Sequence, residues 1–132
     1  MKAKIFLGGT CNGSTWREKL KPMLTIDWFD PVVEDWTPEC QAEEYRQKEE
    51  ECNIHLYVIT SGMTGVFSIA EAVDSAWRPG VRAIFFVDPD GFSRAQMKSF
   101  EAVGSLIASK GGSSYTDNWT LSDLAMDLNN MF

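Results

Sequence analysis

The chain of 132 residues is 44% hydrophobic and 12% aromatic and carries a formal net charge of −7, which suits one folded domain, residues 1–132, with a single core rather than a disordered segment. That acidity argues against nucleic acid or an anionic membrane as partner, since both recruit basic surfaces. The longest apolar runs, such as "AIFF" at 83–86, are far too short to span a bilayer, no cleavable leader pattern follows the N-terminal lysines, and the expected location is cytoplasmic.

In chain order, "KAKIFLGG" (2–9) is a short apolar run closed by glycines, which reads as a buried strand. In "GSTWREKLKPML" (13–24), Trp16, Leu20, Met23 and Leu24 share one helical face, and Pro22 is expected to end or distort the last turn. "TIDWFDP" (25–31) is a second strand stopped by Pro31, and "PVVEDWTPE" (31–39) is a loop. Thr37 before Pro38 is an N-cap with proline at the first helical position, opening a charged helix in which Glu44 and Lys48 form an i, i+4 pair. "IHLYVIT" (54–60) is the clearest strand and "SGMTG" (61–65) a turn. "SIAEAVDSAW" (68–77) is a helix with Ile69, Val73 and Trp77 on one face, ended by "RPG". "VRAIFFVD" (81–88) is another strand. A helix over 93–110 follows, with Gln96, Phe100, Val103 and Ile107 in register. "SSYTD" (113–117) is a weak edge strand, and a last helix turns Leu121, Leu124, Leu128 and Phe132 to its apolar side. Strand and helix alternate throughout, which predicts an α/β fold: a flavodoxin-like, doubly wound, five-stranded parallel sheet of order 2-1-3-4-5 with helices on both faces.

The three cysteines, Cys11, Cys40 and Cys52, are odd in number and form no C-x-x-C pair, so no disulfide framework is expected. His55, the single histidine, lies inside an apolar run and reads as a core or strand-face residue. Without grouped Cys and His ligands, no metal site is expected, and no cofactor.

In such a sheet, ligands bind beyond the carboxyl ends of the strands, near the point where strand order reverses. Three loops reach that edge: "GGTCNGS" (8–14), "DPVVEDW" (30–36) and "SGMTGVFS" (61–68). Gly8, Gly9 and Gly13 either shape a tight turn or let the backbone approach a ligand. The G-x-G-x-x-G and P-loop lysine patterns are missing, which leaves a dinucleotide or triphosphate site unsupported. Glu71 has two readings. "Ser68-Ile69-Ala70-Glu71" fits the S-x-x-E capping box, and Glu71 shares a polar face with Asp74, Ser75 and Arg78. Alternatively, a carboxylate at this edge attacks the anomeric carbon of a sugar. A second carboxyl, from Asp30, Glu34 or Asp35, would then help the leaving group, and Trp16, Trp28, Phe29 or Trp36 would stack on a base.

Together, "KIFLGGTCNGSTWREKL", "DWFDPVVEDWTPE", "CNIHLYVIT" and "GVFSIAEAVDSA" resemble the nucleoside 2-deoxyribosyltransferase-like family, in its short bacterial and phage branch, over roughly the first 80 residues. The resemblance implies cleavage or exchange of N-glycosidic bonds in a small-molecule nucleoside or nucleotide. It implies Glu71 as nucleophile, and Asp30 and Asp35 of the neighbouring acidic loop are then the expected further catalytic carboxyls. It also implies that Gly8, Gly9 and Thr10 border the ligand, that the loop of Asp30, Asp35 and Trp36 closes over it, and that the protein is a homo-oligomer in which Asn129 and Asn130 reach a neighbour's site. Asn12, Met63, Gly65 and Ser68, in the loops at the same edge, are further expected substrate contacts. Two departures stand out. The family's D-x-G-T-x-x-E type segment reads "SGMTGVFSIAE" here, with Ser61 and Thr64 but no acid, and Gly8 and Gly9 replace an aromatic residue after the first strand. The alternatives are a non-catalytic nucleotide- or ADP-ribose-like ligand-binding protein of the same fold, and a protein-interaction role for the acidic helix 39–51. Arg17, Arg78 and Arg94 are the cations nearest the crevice for a phosphate.

Overall fold

Branched and aromatic runs form the three central strands, β1 (Lys4–Gly9), β3 (Ile54–Ile59) and β4 (Arg82–Val87). The computed structural model describes residues 2–11 and 13–131. The shorter β2 (Asp27–Phe29) and β5 (Ser113–Tyr115) form the edges. All pairings are parallel and the order is β2-β1-β3-β4-β5, with Ile5 opposite Ile54 and Ile54 opposite Arg82. The α-helices α1 (Trp16–Leu20), α2 (Pro38–Arg46), α3 (Phe67–Ala76) and α4 (Arg94–Ser109) connect them in turn, and α5 (Leu121–Met131) follows β5.

The central strands are apolar at consecutive positions because both faces of the sheet are covered. Ile5, Leu7, Leu56, Val58, Ile84 and Phe86 pack with Trp16 and Leu20 of α1 and with Leu124 and Leu128 of α5. Their alternates Tyr57, Ile59, Phe85 and Val87 pack with Ala72 and Ala76 of α3 and with Phe100 and Ile107 of α4. At the β2 edge, Phe29 stacks on Phe6 with ring centroids 6.0 Å apart, and Trp28 is exposed.

Several local expectations change in the folded chain. Regular α1 stops at Leu20, and Lys21–Met23 tighten into a 3-10 turn around Pro22, so Met23 and Leu24 reach the core from outside the α-helix. Trp77 leaves the α3 face, 63% exposed, with the Lys110 ammonium 4.0 Å from its ring centroid. Gln96 does not join the α4 apolar face. It accepts from the Ser93 N–H (2.8 Å) while its own N–H donates to Ser93 Oγ (3.1 Å), completing a capping box. Phe132 lies outside the described residues. Among those described, no helix is long and apolar enough to cross a membrane.

Candidate functional site

The first loop at the carboxyl edge is shaped by glycine. Gly9 has φ +110°, and a Cβ there would overlap the Val58 carbonyl of β3. A Cβ on Gly8 would lie 2.7 Å from the Tyr57 ring. Both glycines thus let β1 lie against β3. Thr10 joins the two strand ends: its N–H donates to Val58 O (2.9 Å), and its Oγ1 accepts from the Thr60 N–H (3.0 Å).

Arg17 is buried beneath this loop. Its guanidinium donates to the carbonyls of Leu7 (2.9 Å), Thr10 (2.8 Å) and Gly9 (3.3 Å). Its donors are therefore engaged by the chain's own backbone, and the phosphate contact considered for Arg17 from sequence is not presented. Asp30 is drawn to the same place. It lies 3.6 Å from Arg17 Nε and 2.6 Å from Lys21 Nζ, and its Oδ1 accepts from the Val32 N–H. Asn129 is likewise engaged within the chain: its Oδ1 accepts from the Thr25 N–H and its Nδ2 donates to Met23 O.

Glu71 sits in the second turn of α3. The N-cap is Val66, with no side-chain cap, so Ser68 falls inside the first turn and the capping box read at 68–71 does not form. A box needs its serine at the N-cap itself, and the turn out of β3 starts the helix two residues earlier. Glu71 Oε2 instead accepts from Lys48 Nζ at 2.6 Å. Lys48 belongs to a π-helical turn, Gln47–Glu51, that continues α2. The i, i+4 pair expected between Glu44 and Lys48 gives way to this contact. Burial opposes the Lys48 charge, but the hydrogen bond to Glu71 and attraction to Tyr57 and Glu71 raise its pKa above that of a free lysine.

Beneath the pair runs a buried polar chain whose protons are determined by its partners. His55 Nε2 faces two carbonyls, Lys48 O (2.9 Å) and Cys52 O (3.2 Å), which only accept, so Nε2 carries the hydrogen. Nδ1 then accepts from Ser75 Oγ (2.8 Å), and Ser75 in turn accepts from the Tyr57 hydroxyl (3.0 Å). His55, Tyr57 and Ser75 are fully buried. Ser75 therefore leaves the polar α3 face to which sequence assigned it, and His55 is the core residue expected. Burial pushes the His55 pKa down to about 4, leaving a neutral imidazole at pH 7.

Around Glu71 opens a cavity of about 520 Å³, whose walls include Trp36, Glu44, Tyr45, Lys48 and Phe67. That volume is in the range of small-molecule sites. Trp36, Tyr45 and Phe67 are 62%, 66% and 74% exposed, an unusual aromatic rim. Phe67 also borders a smaller hollow of about 170 Å³ lined by Gly9, Thr10, Met63, Gly65 and Ser68. Of the residues singled out from sequence, Trp36 and Arg78 share the cavity with Glu71, Arg78 being held by Glu49 and Asp74, and these five line the adjoining hollow. Gly8 lies against the Tyr57 ring, Asp30 and Asp35 line neither space, and Asn12 is outside the described residues. Lys48, Glu44, Tyr45 and Phe67 were not picked out as site residues. Phe67 precedes Glu71 by one turn on α3 itself, whereas Glu44, Tyr45 and Lys48 come from α2 and the turn after it, a contact between separate elements that no local pattern reports. Among the described residues, no group of three or more His, Cys, Asp or Glu is arranged to hold a metal ion.

The family model described as nucleoside 2-deoxyribosyltransferase like matches residues 2–89, a span that includes every residue lining the Glu71 cavity. No curated protein matches the chain.

Proposed function

Given that the chain belongs to the nucleoside 2-deoxyribosyltransferase-like family, we propose that it cleaves or exchanges the N-glycosidic bond of a nucleoside or nucleotide, with Glu71 as nucleophile. The observation that carries this reading is Glu71 itself, held at 2.6 Å by Lys48 in the wall of a cavity of about 520 Å³. With Oε2 engaged by Lys48, Oε1 is left to attack the anomeric carbon and form a glycosyl ester. Trp36, Tyr45 and Phe67 offer flat apolar surface on which a base stacks. The hollow formed by Gly9, Thr10, Met63, Gly65 and Ser68 takes the sugar side of the ligand. Asp30, held by Arg17 and Lys21, keeps the loop that carries Asp35 and Trp36 against α1. The reading extends to a homo-oligomer acting in the cytoplasm, a second copy covering the exposed rim.

The Lys48–Glu71 ion pair also favours a second reading, because it neutralises the carboxylate at rest: the cavity holds a nucleotide- or ADP-ribose-like ligand without turnover. One experiment separates the two. Purified protein and Glu71→Gln are incubated with nucleosides and nucleotides plus a free acceptor base, and products are resolved by chromatography. Release or exchange of base by the wild type alone supports glycosyl chemistry. Thermal stabilisation by a panel member with no product from either protein favours binding only.

A further inference from the structure

Leaving-group departure needs a proton, and the cavity offers four carboxyls, Glu44, Glu49, Glu71 and Asp74. Three are committed. Glu71 is paired with Lys48, and Glu49 and Asp74 both bind Arg78, Asp74 at 2.9 Å. Glu44, half-buried on α2 one turn before Lys48, has a carboxyl with no hydrogen-bond or ion-pair partner among the described residues. We propose that Glu44 is the acid–base residue of this cavity, giving its proton to the departing base and recovering one from the incoming water or acceptor base. The proposal rests on the reading of Glu71 as nucleophile.

The surroundings suit the role. Burial and then the charge on Glu71 raise the Glu44 pKa, while the Lys48 charge lowers it. A carboxyl raised in proton affinity suits the acid of such a pair. When Glu71 forms the C1′–O bond, its charge disappears and the Lys48 charge remains. Glu44 then becomes the stronger acid at the moment the base leaves. The electron pair of the broken C1′–N bond goes to the base nitrogen, and the proton comes from the Glu44 carboxyl. In the second half, water or an acceptor base bonds to C1′ and gives its proton to Glu44, and the ester oxygen leaves as the Glu71 carboxylate. No electrons are exchanged with an outside reagent.

The test compares full-length wild type, Glu44→Gln and Glu71→Gln on matched leaving groups. Nucleosides and 5′-monophosphates of guanine and uracil are set beside those of 7-methylguanine and 5-fluorouracil. The 7-methylguanine base is cationic and departs neutral without a proton, and 5-fluorouracil departs more readily as an anion. The readout is base released in the first turnover, before the ester has to be cleared. Glu44→Gln is expected to slow guanine or uracil release by about 10²- to 10⁴-fold and the activated bases by less than about tenfold. It should also lose the basic limb of the pH profile, with an unchanged circular dichroism spectrum. Glu71→Gln should stop both classes. Equal slowing of both classes by Glu44→Gln, or of neither, overturns the assignment while leaving the Glu71 reading intact. A wild type that releases no base from any substrate overturns that reading and the Glu44 role with it.

Discussion

The Lys48 and Glu71 side chains are only 14% and 19% exposed where they meet. A charge pair so covered contributes little net stability against its own desolvation, but removing one member strands the other. Lys48→Met and Glu71→Gln are each expected to lower unfolding free energy by about 1–3 kcal/mol, and the double variant by clearly less than their sum. Urea denaturation of the four proteins measures this, and strictly additive losses would show that the two charges are not coupled. Glu71 was legible as a residue of interest, but its partner was not. The i, i+4 rule assigned Lys48 to Glu44 because it assumes a continuous α-helix with both side chains in water. Serine capping shows the same limit. Ser68 and Ser93 both stand three residues before Glu or Gln, yet only Ser93 occupies an N-cap.

At the scale of elements, the π-helical turn at Gln47–Glu51 decides what α2 offers the site. Its close is marked by the Cys52 N–H donating to Gln47 O at 2.7 Å, five residues back. The widened turn leaves the Lys48 carbonyl facing His55 while the Lys48 side chain reaches Glu71. Deleting Glu50 should let this stretch relax to α-helix and rotate Lys48 away from Glu71. The expected result is loss of more than about 10²-fold in base release, the scale of a misplaced catalytic group, with helical circular dichroism retained. Unchanged turnover in the deletion variant would remove the π turn from the account of the site. Such a turn has no signature in "RQKEEEC", whereas the Thr37-Pro38 helix start was visible, and Thr37 Oγ1 does accept from the Cys40 N–H at 3.2 Å.

For the molecule as a whole, His55 ties stability to pH. Its folded pKa is about 4, below the ordinary 6.5, because burial disfavours the imidazolium. The unfolded chain therefore binds the proton first as pH falls. The stability contribution is full above pH 6.5 and is lost progressively down to about pH 4, on the order of 3 kcal/mol in all. Unfolding free energies measured across that window should decline for the wild type and stay flatter for His55→Asn. Parallel slopes would show that another group governs the acid limb. The parallel sheet at this scale was readable because strand-like and helical stretches alternate along the chain, and parallel neighbours need a crossover between them; the order 2-1-3-4-5 was the flavodoxin-like expectation, and it is the order found. Consecutive apolar residues in β3 already required two covered faces, and the two cores on either side of Tyr57 and Val58 are that consequence.

Backbone periodicity and turn chemistry are local, so the sequence by itself determined the α/β alternation, the glycine-rich exit from β1 and the carboxylate on the helix after β3, while the order 2-1-3-4-5 was expected from the flavodoxin-like arrangement and is fixed by strand pairing in the folded sheet. Which groups surround that carboxylate was decided only in three dimensions. Asp30 was drawn to Arg17 and Lys21 because a buried guanidinium needs a counter-charge close by. Lys48 came to Glu71, with Glu44 lining the same cavity, through ion pairing between the irregular turn at Gln47–Glu51 and α3, elements separated in the chain by β3.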